Sequence, residues 1–239
     1  MTTAVKPLGR KAYGSIGHLP ESRMGPGDHH VSPGQARICT EKARDRHDRT
    51  IVQEKLDGSC VAVALLDGAL HPIGRAGWPA MSSRFEMHHL FAAWVWENEA
   101  RFRSVLREGE RIVGEWLAQA HGTIYDLGAH EPFGAFDIMV GDWRMPFDEF
   151  FARIDSVFLR PTLLHAGGPI SVEMAMALHR QERWPCDEVE GVVYRVERRG
   201  EVDFLAKYVR PDKIDGKYLS ADAPLWNWRP SGSAREDRQ

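Results

Sequence analysis

Residues 50–75, TIVQEKLDGSCVAVALLDGALHPIGR, run as apolar stretches broken by two Asp-Gly pairs. Short runs rich in Val, Ile and Leu and bounded by turn residues read as strands, and Asp-Gly between such runs is a strong hairpin signal. The stretch predicts three antiparallel strands, TIVQEKL, CVAVALL and ALHPIGR, with turns at Asp57-Gly58 and Asp67-Gly68. Lys55 stands out, a cation inside an apolar run just ahead of the first turn. A solvated hairpin lysine and a nucleophile both fit that position, and the rest of the chain has to choose.

Working outward, the period changes after residue 83. Phe91, Trp94, Val95, Phe102, Val105 and Leu106 recur at helical spacing, which predicts an amphipathic helix within 83–107, with Trp94 facing the core and Trp96 the surface. ERIVGEWLA and PFGAFDIMV then read as strands, DEFFARIDSVFL and SVEMAMALHRQ as helices. A last hairpin is EGVVYRVE, the turn RRGE, and VDFLAKYV. Hairpins interleaved with a few helices argue an α+β fold with antiparallel sheets.

Gly and Pro punctuate residues 1–37 every few positions, so they read as an irregular segment that packs on the body through Tyr13, Ile16, Leu19 and Met24. The body is expected over 38–220. Residues 221–239, which include RPSGSAREDRQ, read as a flexible polar tail.

Bulk properties narrow the class. A net charge of −3 excludes a uniformly basic nucleic-acid coat but leaves room for a local basic groove. Three scattered cysteines are too few for a disulfide framework or a zinc knuckle and read as reduced thiols. With neither a secretory leader nor a membrane-length apolar run, a cytoplasmic protein that does not enter the membrane is expected.

Charged residues recur at predicted strand ends: Lys55, Arg75, Glu115, Asp137, Glu190, Lys207 and Arg210. A charge in a half-buried strand is costly without a partner, so several converging on one cleft make a site. Carboxylates there could hold a divalent metal and the cations a polyphosphate, which suits nucleotidyl transfer. Gly114 and Gly191 beside the two glutamates imply close backbone approach. The pairs His29-His30 and His88-His89 are not read as metal sites, because adjacent side chains diverge.

The order and spacing of these fragments resemble the covalent nucleotidyltransferase superfamily of polynucleotide ligases and mRNA capping enzymes, and within it the ATP-dependent RNA ligases. EKLDG resembles the nucleotidylation motif, with Lys55 as its lysine and Glu54 beside it. IGRAG, VGEWL, GAFDI, VEGVVYR and LAKYV resemble the later motifs and place their functional residues at Arg75, Glu115, Phe136, Glu190 and Lys207. The resemblance implies an adenylation domain, and the short stretch after Lys207 departs from the family pattern, so no C-terminal OB domain is expected. It further implies a covalent lysyl-AMP on Lys55, transfer of AMP to a 5′-phosphate RNA end, and sealing to a 3′-hydroxyl. ATP would be the donor with Mg2+ or Mn2+ on Glu190, while Glu54, Lys55, Arg75, Glu115, Phe136, Glu190 and Lys207 contact the nucleotide. Lys55, Lys207 and Glu190 would carry the chemistry.

Attack requires an uncharged amine, so cations and a metal near Lys55 are expected to lower its pKa. The fifth motif commonly has a second lysine where this chain has Leu205, and Arg210 or Lys213 could supply the missing charge. The same motifs suit a DNA ligase-like adenylyltransferase, a non-sealing nucleotide-binding or RNA-end-sensing protein, or a protein-AMPylating enzyme. A partner protein could supply polynucleotide binding.

Overall fold

The computed structural model describes residues 4–180, 183–219 and 224–230. Among them, ten strands form two five-stranded sheets. The first sheet combines β1 (Gly17–His18), β2 (Asp48–Lys55), β8 (Leu163–Gly167), β9 (Gly191–Arg198) and β10 (Glu201–Val209), in the order β1-β10-β9-β2-β8. The second holds β3 (Ser59–Leu66), β4 (Ala69–Gly74), β5 (Arg111–Trp116), β6 (Phe133–Val140) and β7 (Trp143–Arg144), in the order β4-β3-β5-β6-β7. All pairings are antiparallel except β1 with β10. This is the α+β, antiparallel architecture expected from the sequence.

One of the two Asp-Gly turns is not a hairpin. At the second, Asp67 and Gly68 take φ of 51° and 72°, and Leu66 pairs with Ala69, as a tight two-residue turn requires. At the first, neither Asp57 nor Gly58 has positive φ, and the chain leaves the first sheet to enter the second. Tertiary contacts dictate the crossing. The Asp57 N–H donates to the Tyr125 hydroxyl (2.9 Å), and a Cβ on Gly58 would lie 2.5 Å from the Trp116 carbonyl oxygen. Lys55 thus ends one sheet, and after three intervening residues the chain joins the other at Ser59.

Helices α2 (Glu86–Glu97) and α3 (Glu99–Val105) cover the second sheet. The single helix expected over 83–107 is interrupted at Asn98, whose ψ of 20° leaves helical geometry while its side-chain amide donates to the Trp94 carbonyl (2.8 Å). Phe91, Trp94 and Phe102 bury against Ile112, Trp116 and Phe133. Trp94 is buried and Trp96 half exposed, as their spacing predicts. Against the first sheet, α1 (Pro33–Thr40) and α5 (Val172–Ala177) pack on Val52, Val192, Tyr194 and Ala206. The remaining helix, α4 (Phe147–Ile154), follows β7.

Three expectations need correcting. The segment 1–37 is not wholly irregular: β1 adds to the sheet edge, and α1 begins at Pro33 behind a Ser32–Gln35 capping box, a signal present in the text. Of the expected polar tail, residues 224–230 are packed, because Trp226 and Trp228 cover apolar surface and Asn227 donates to the Leu117 carbonyl (2.8 Å). Residues 221–223 and 231–239 of that expectation lie outside the described residues. Strand β8 was not foreseen, since LLHAG is short and its residues are exposed or half-buried. Among the described residues no helix is long and apolar enough to cross a membrane.

Candidate active site

A cavity of about 930 Å3 opens between the two sheets, and Lys55, Arg75, Glu115, Phe136, Glu190 and Lys207 all line it. Strand register explains the convergence. Lys55 pairs with Gly191, so the neighbouring Glu190 comes within reach and its Oε2 lies 2.5 Å from Lys55 Nζ. Lys207 enters from β10, opposite Val193 of β9. From the second sheet, Glu115 pairs with Cys60, and its Oε1 accepts from the Gly58 N–H (3.0 Å), which ties the chain crossing to β5.

The glycines beside the glutamates serve the sheets rather than a ligand. A Cβ on Gly191 would lie 1.9 Å from the Tyr208 carbonyl oxygen, and one on Gly114 would lie 2.4 Å from the Phe133 ring. Glu54 also lines the cavity, yet its carboxylate is engaged at β8's approach, accepting from the Thr162 N–H (2.6 Å) and hydroxyl (2.7 Å). Arg75 reaches the N-terminal segment, donating to the Gly14 carbonyl and the Ser15 hydroxyl (both 3.3 Å).

The charge balance differs from expectation. Burial alone would press the Lys55 pKa down, but the carboxylates of Glu190, Glu115 and Asp57 outweigh it and the net direction is up. Lys55 is thus held as a protonated partner of Glu190 rather than an activated amine. Lys207 moves the other way: burial first, then the Lys55 charge, lowers it. Burial pushes Glu115 up to about 8, with Lys55 opposing and Glu190 and Asp57 adding.

That last shift predicts a pH effect on stability. A carboxyl raised from the ordinary glutamate range (about 4.3) to about 8 binds a proton more tightly when folded, so stability falls as pH climbs through that window. Glu115→Gln is expected to flatten this decline, raising Tm at pH 8 relative to pH 5 by about 2–4 °C per kcal/mol recovered. Thermal unfolding of both proteins across the window checks it, and an unchanged slope would show that Glu115 is ionised as usual.

Neither candidate for the missing cation faces the cavity. Arg210 pairs with Glu188 (2.9 Å) and Asp212 (3.0 Å), and buried Lys213 is held by Asp57 and by the Thr123 hydroxyl (3.0 Å). Leu205 itself lines the wall. Asp57 is therefore more than a turn former: it binds Lys213 and accepts from the Gly122 N–H (2.8 Å).

One residue of the cavity wall that sequence reasoning missed is Arg195, which lines it together with Asp137 and Tyr13. Arg195 is buried and pairs with Asp137 across the two sheets, and Asp137 also accepts from the Tyr13 hydroxyl (2.6 Å). Tyr13 in turn packs edge-on against Phe136, with centroids 5.2 Å apart. A signal for Arg195 was available: in VVYRVE, Val192, Tyr194 and Val196 share the core face, so a charged residue between them points to the opposite face and needs a partner.

For a metal, the donor set fits only one kind of site. Among the described residues no group of three or more His, Cys, Asp or Glu could hold an ion alone. A hard cation carried by phosphates needs only one or two protein carboxylates, and Glu190, at the cavity wall with one oxygen now on Lys55, meets that need.

The fold is similar to an archaeal ATP-dependent RNA ligase, at 20% identity and a TM-score of 0.50 over 82% of this chain and 48% of that one. It is similar to an RNA ligase of Naegleria gruberi without ligand (16% identity, TM-score 0.53, 84% of this chain and 57% of that one). A form of that enzyme solved with ATP and Mn gives 16% identity and a TM-score of 0.52 over 83% of this chain and 60% of the other. The chain thus spans about half to three fifths of the length of these ligases. No curated protein matches the sequence. The RNA ligase family profile matches residues 48–209, from the first residue of β2 to the last of β10, and so takes in every motif that builds the cavity. On that match the chain belongs to the RNA ligase family.

Proposed function

We propose that the protein is an ATP-dependent RNA ligase that carries AMP covalently on Lys55, passes it to a 5′-phosphate RNA end, and seals that end to a 3′-hydroxyl. The observation that carries this reading is the meeting of six motif residues from both sheets in one cavity, with Lys55 at its wall.

In the first step the Lys55 Nζ lone pair attacks the α-phosphorus of ATP. A P–N bond forms, the P–O bond to pyrophosphate breaks, and the amine gives up its proton. Lys55 starts protonated on Glu190, so the reaction has to take that carboxylate away from it. A divalent cation held by Glu190 and the nucleotide phosphates would supply the countercharge that does so. Lys207 and Arg75 line the same cavity, where Lys207 would neutralise the α-phosphate charge and Arg75 would bind phosphate. Phe136, backed by Tyr13, offers a ring for the adenine, and Glu115 an acceptor for the ribose. In the second step an oxygen of the RNA 5′-phosphate attacks the AMP phosphorus, a phosphoanhydride forms, and the P–N bond to Lys55 breaks with the amine leaving. In the third the 3′-hydroxyl attacks the RNA 5′-phosphorus, a phosphodiester forms, and the anhydride P–O bond breaks with AMP leaving.

The test is incubation with ATP labelled at the α-phosphate and Mg2+ or Mn2+. A labelled adduct that is acid-labile and alkali-stable, as a phosphoramidate is, supports the reading. No adduct with either metal overturns it. Competing unlabelled GTP and NAD identify the donor, and 5′-phosphorylated RNA and DNA ends identify the acceptor.

A further inference from the structure

The cavity extends past the six motif residues, along Trp78, Ser83 and His88 in and after the β4–α2 connection. His88 sits between two hydroxyls, Nδ1 on Ser83 (2.7 Å) and Nε2 on Ser59 (3.0 Å), and so links this connection to β3 just beyond Gly58. Its ring meets Phe85 edge-on at 6.0 Å. Outside lies a rim of large apolar groups in water: Trp78 is 46% exposed, Met81 52% and Phe85 48%. A cation lies over each aromatic ring, Lys6 at 4.9 Å from the Trp78 centroid and Arg84 at 4.8 Å from that of Phe85.

Charge is partitioned in the same place. The segments 1–20 and 68–85 carry Lys6, Arg10, Lys11, Arg75 and Arg84 and contain no Asp or Glu, in a chain whose net charge is −3. The two segments are held together where they meet: the Ala12 N–H donates to the Arg75 carbonyl (2.9 Å), and a Cβ on Gly77 would lie 2.0 Å from the Arg10 carbonyl oxygen. Among the described residues, no carboxylate pairs with Lys6, Lys11, Arg75 or Arg84.

Exposed rings interleaved with unpaired cations match unstacked bases on a phosphate backbone, whereas in a duplex the base faces are already stacked on one another. We propose that the Trp78–Phe85 rim, with Lys6 and Arg84 over its rings, holds the single-stranded end of the RNA leading into the Lys55 cavity. The inference rests on the ligase reading of that cavity and adds where, and in what form, the polynucleotide lies.

The test uses the full chain and a short fluorescent, 5′-phosphorylated single-stranded RNA, followed by anisotropy without ATP, beside a blunt RNA duplex of equal length. The single strand is expected to bind the more tightly. The double variant R84Q/F85S is expected to bind it about tenfold more weakly, the scale of one lost base stack, with the salt slope reduced by about 0.7 for the lost cation. Trp96→Ala, an equally exposed aromatic at the far end of α2, should bind as the unaltered protein does. Equal affinity for strand and duplex, or an unaffected double variant, overturns the proposal. Neither Arg84 nor Phe85 lines the cavity, so the double variant should still form the labelled lysine adduct. Loss of the adduct in that variant would assign the rim to the nucleotide and also overturn the proposal. Absence of an adduct in the unaltered protein defeats only the ligase chemistry, because the binding assay contains no ATP.

Discussion

Lys55→Ala is expected to abolish the labelled protein–AMP adduct, a loss limited only by detection, while leaving the protein folded. Truncation removes the attacking atom, while Lys213 is bound to Asp57 and Lys207 is paired with Asp28 of the N-terminal segment (3.7 Å). Lys55→Arg should fail equally, since a guanidinium stays protonated at any working pH. An adduct that persists in Lys55→Ala would move the chemistry elsewhere.

The same residue yields a sharper companion result. The ammonium is held up by three carboxylates, with Glu190 the nearest partner. Its folded pKa lies above the unfolded value, so the pairing stabilises the fold fully below the unfolded lysine pKa and is lost only as pH rises through the folded one. Amine-selective acylation of Lys55, followed by mass spectrometry in the nucleotide-free protein, should therefore be slow at neutral pH and begin only in strongly alkaline solution. Glu190→Gln should move that onset to lower pH, because it removes the main opposing charge while burial remains. Free reactivity of Lys55 at neutral pH in the unaltered protein would contradict the resting pair.

How much of this was visible in the text depends on whether a feature is local. The long strands β2–β6, β9 and β10, the Asp67-Gly68 hairpin and the six cavity residues follow from apolar runs, turn chemistry and motif order, which neighbouring residues carry. The crossing at Asp57-Gly58 does not, because the decision belongs to Tyr125, Trp116, Gly122 and Lys213, all distant in sequence. The same holds for the Lys55 pKa. Arg75 and Lys207 were expected to lower it, yet sheet register sets Glu190 at 2.5 Å, and proximity decides the sign. Leu205 shows the converse: the missing cation was legible, but the idea that Arg210 or Lys213 replaces it required knowing which way each side chain turns.

The largest stability effect is expected at the buried pair that joins the sheets at the cavity wall. Arg195 is 4% exposed and Asp137 0%, and the guanidinium also donates to the carbonyls of Phe136 (3.2 Å) and Met145 (3.3 Å). Arg195→Met leaves the Asp137 carboxylate with Tyr13 and, more distantly, Arg144, and takes the guanidinium donor from the Phe136 and Met145 carbonyls. Stripping one partner from a buried pair costs about 3–5 kcal/mol, which corresponds to a Tm fall on the order of 10 °C for a chain of this size. Replacing both partners by apolar residues, Asp137→Leu with Arg195→Met, should recover much of that loss, since no charge is then left unpaired. Recovery of function should not follow. Asp137 anchors the Tyr13 hydroxyl, Tyr13 backs Phe136, and both stand on the wall where the adenine is proposed to stack, so the double variant should need more ATP to reach half-maximal adduct formation. Stability restored without restored ATP affinity would separate the two roles of the network. Full recovery of both would show that Asp137 and Arg195 serve only to hold the sheets together.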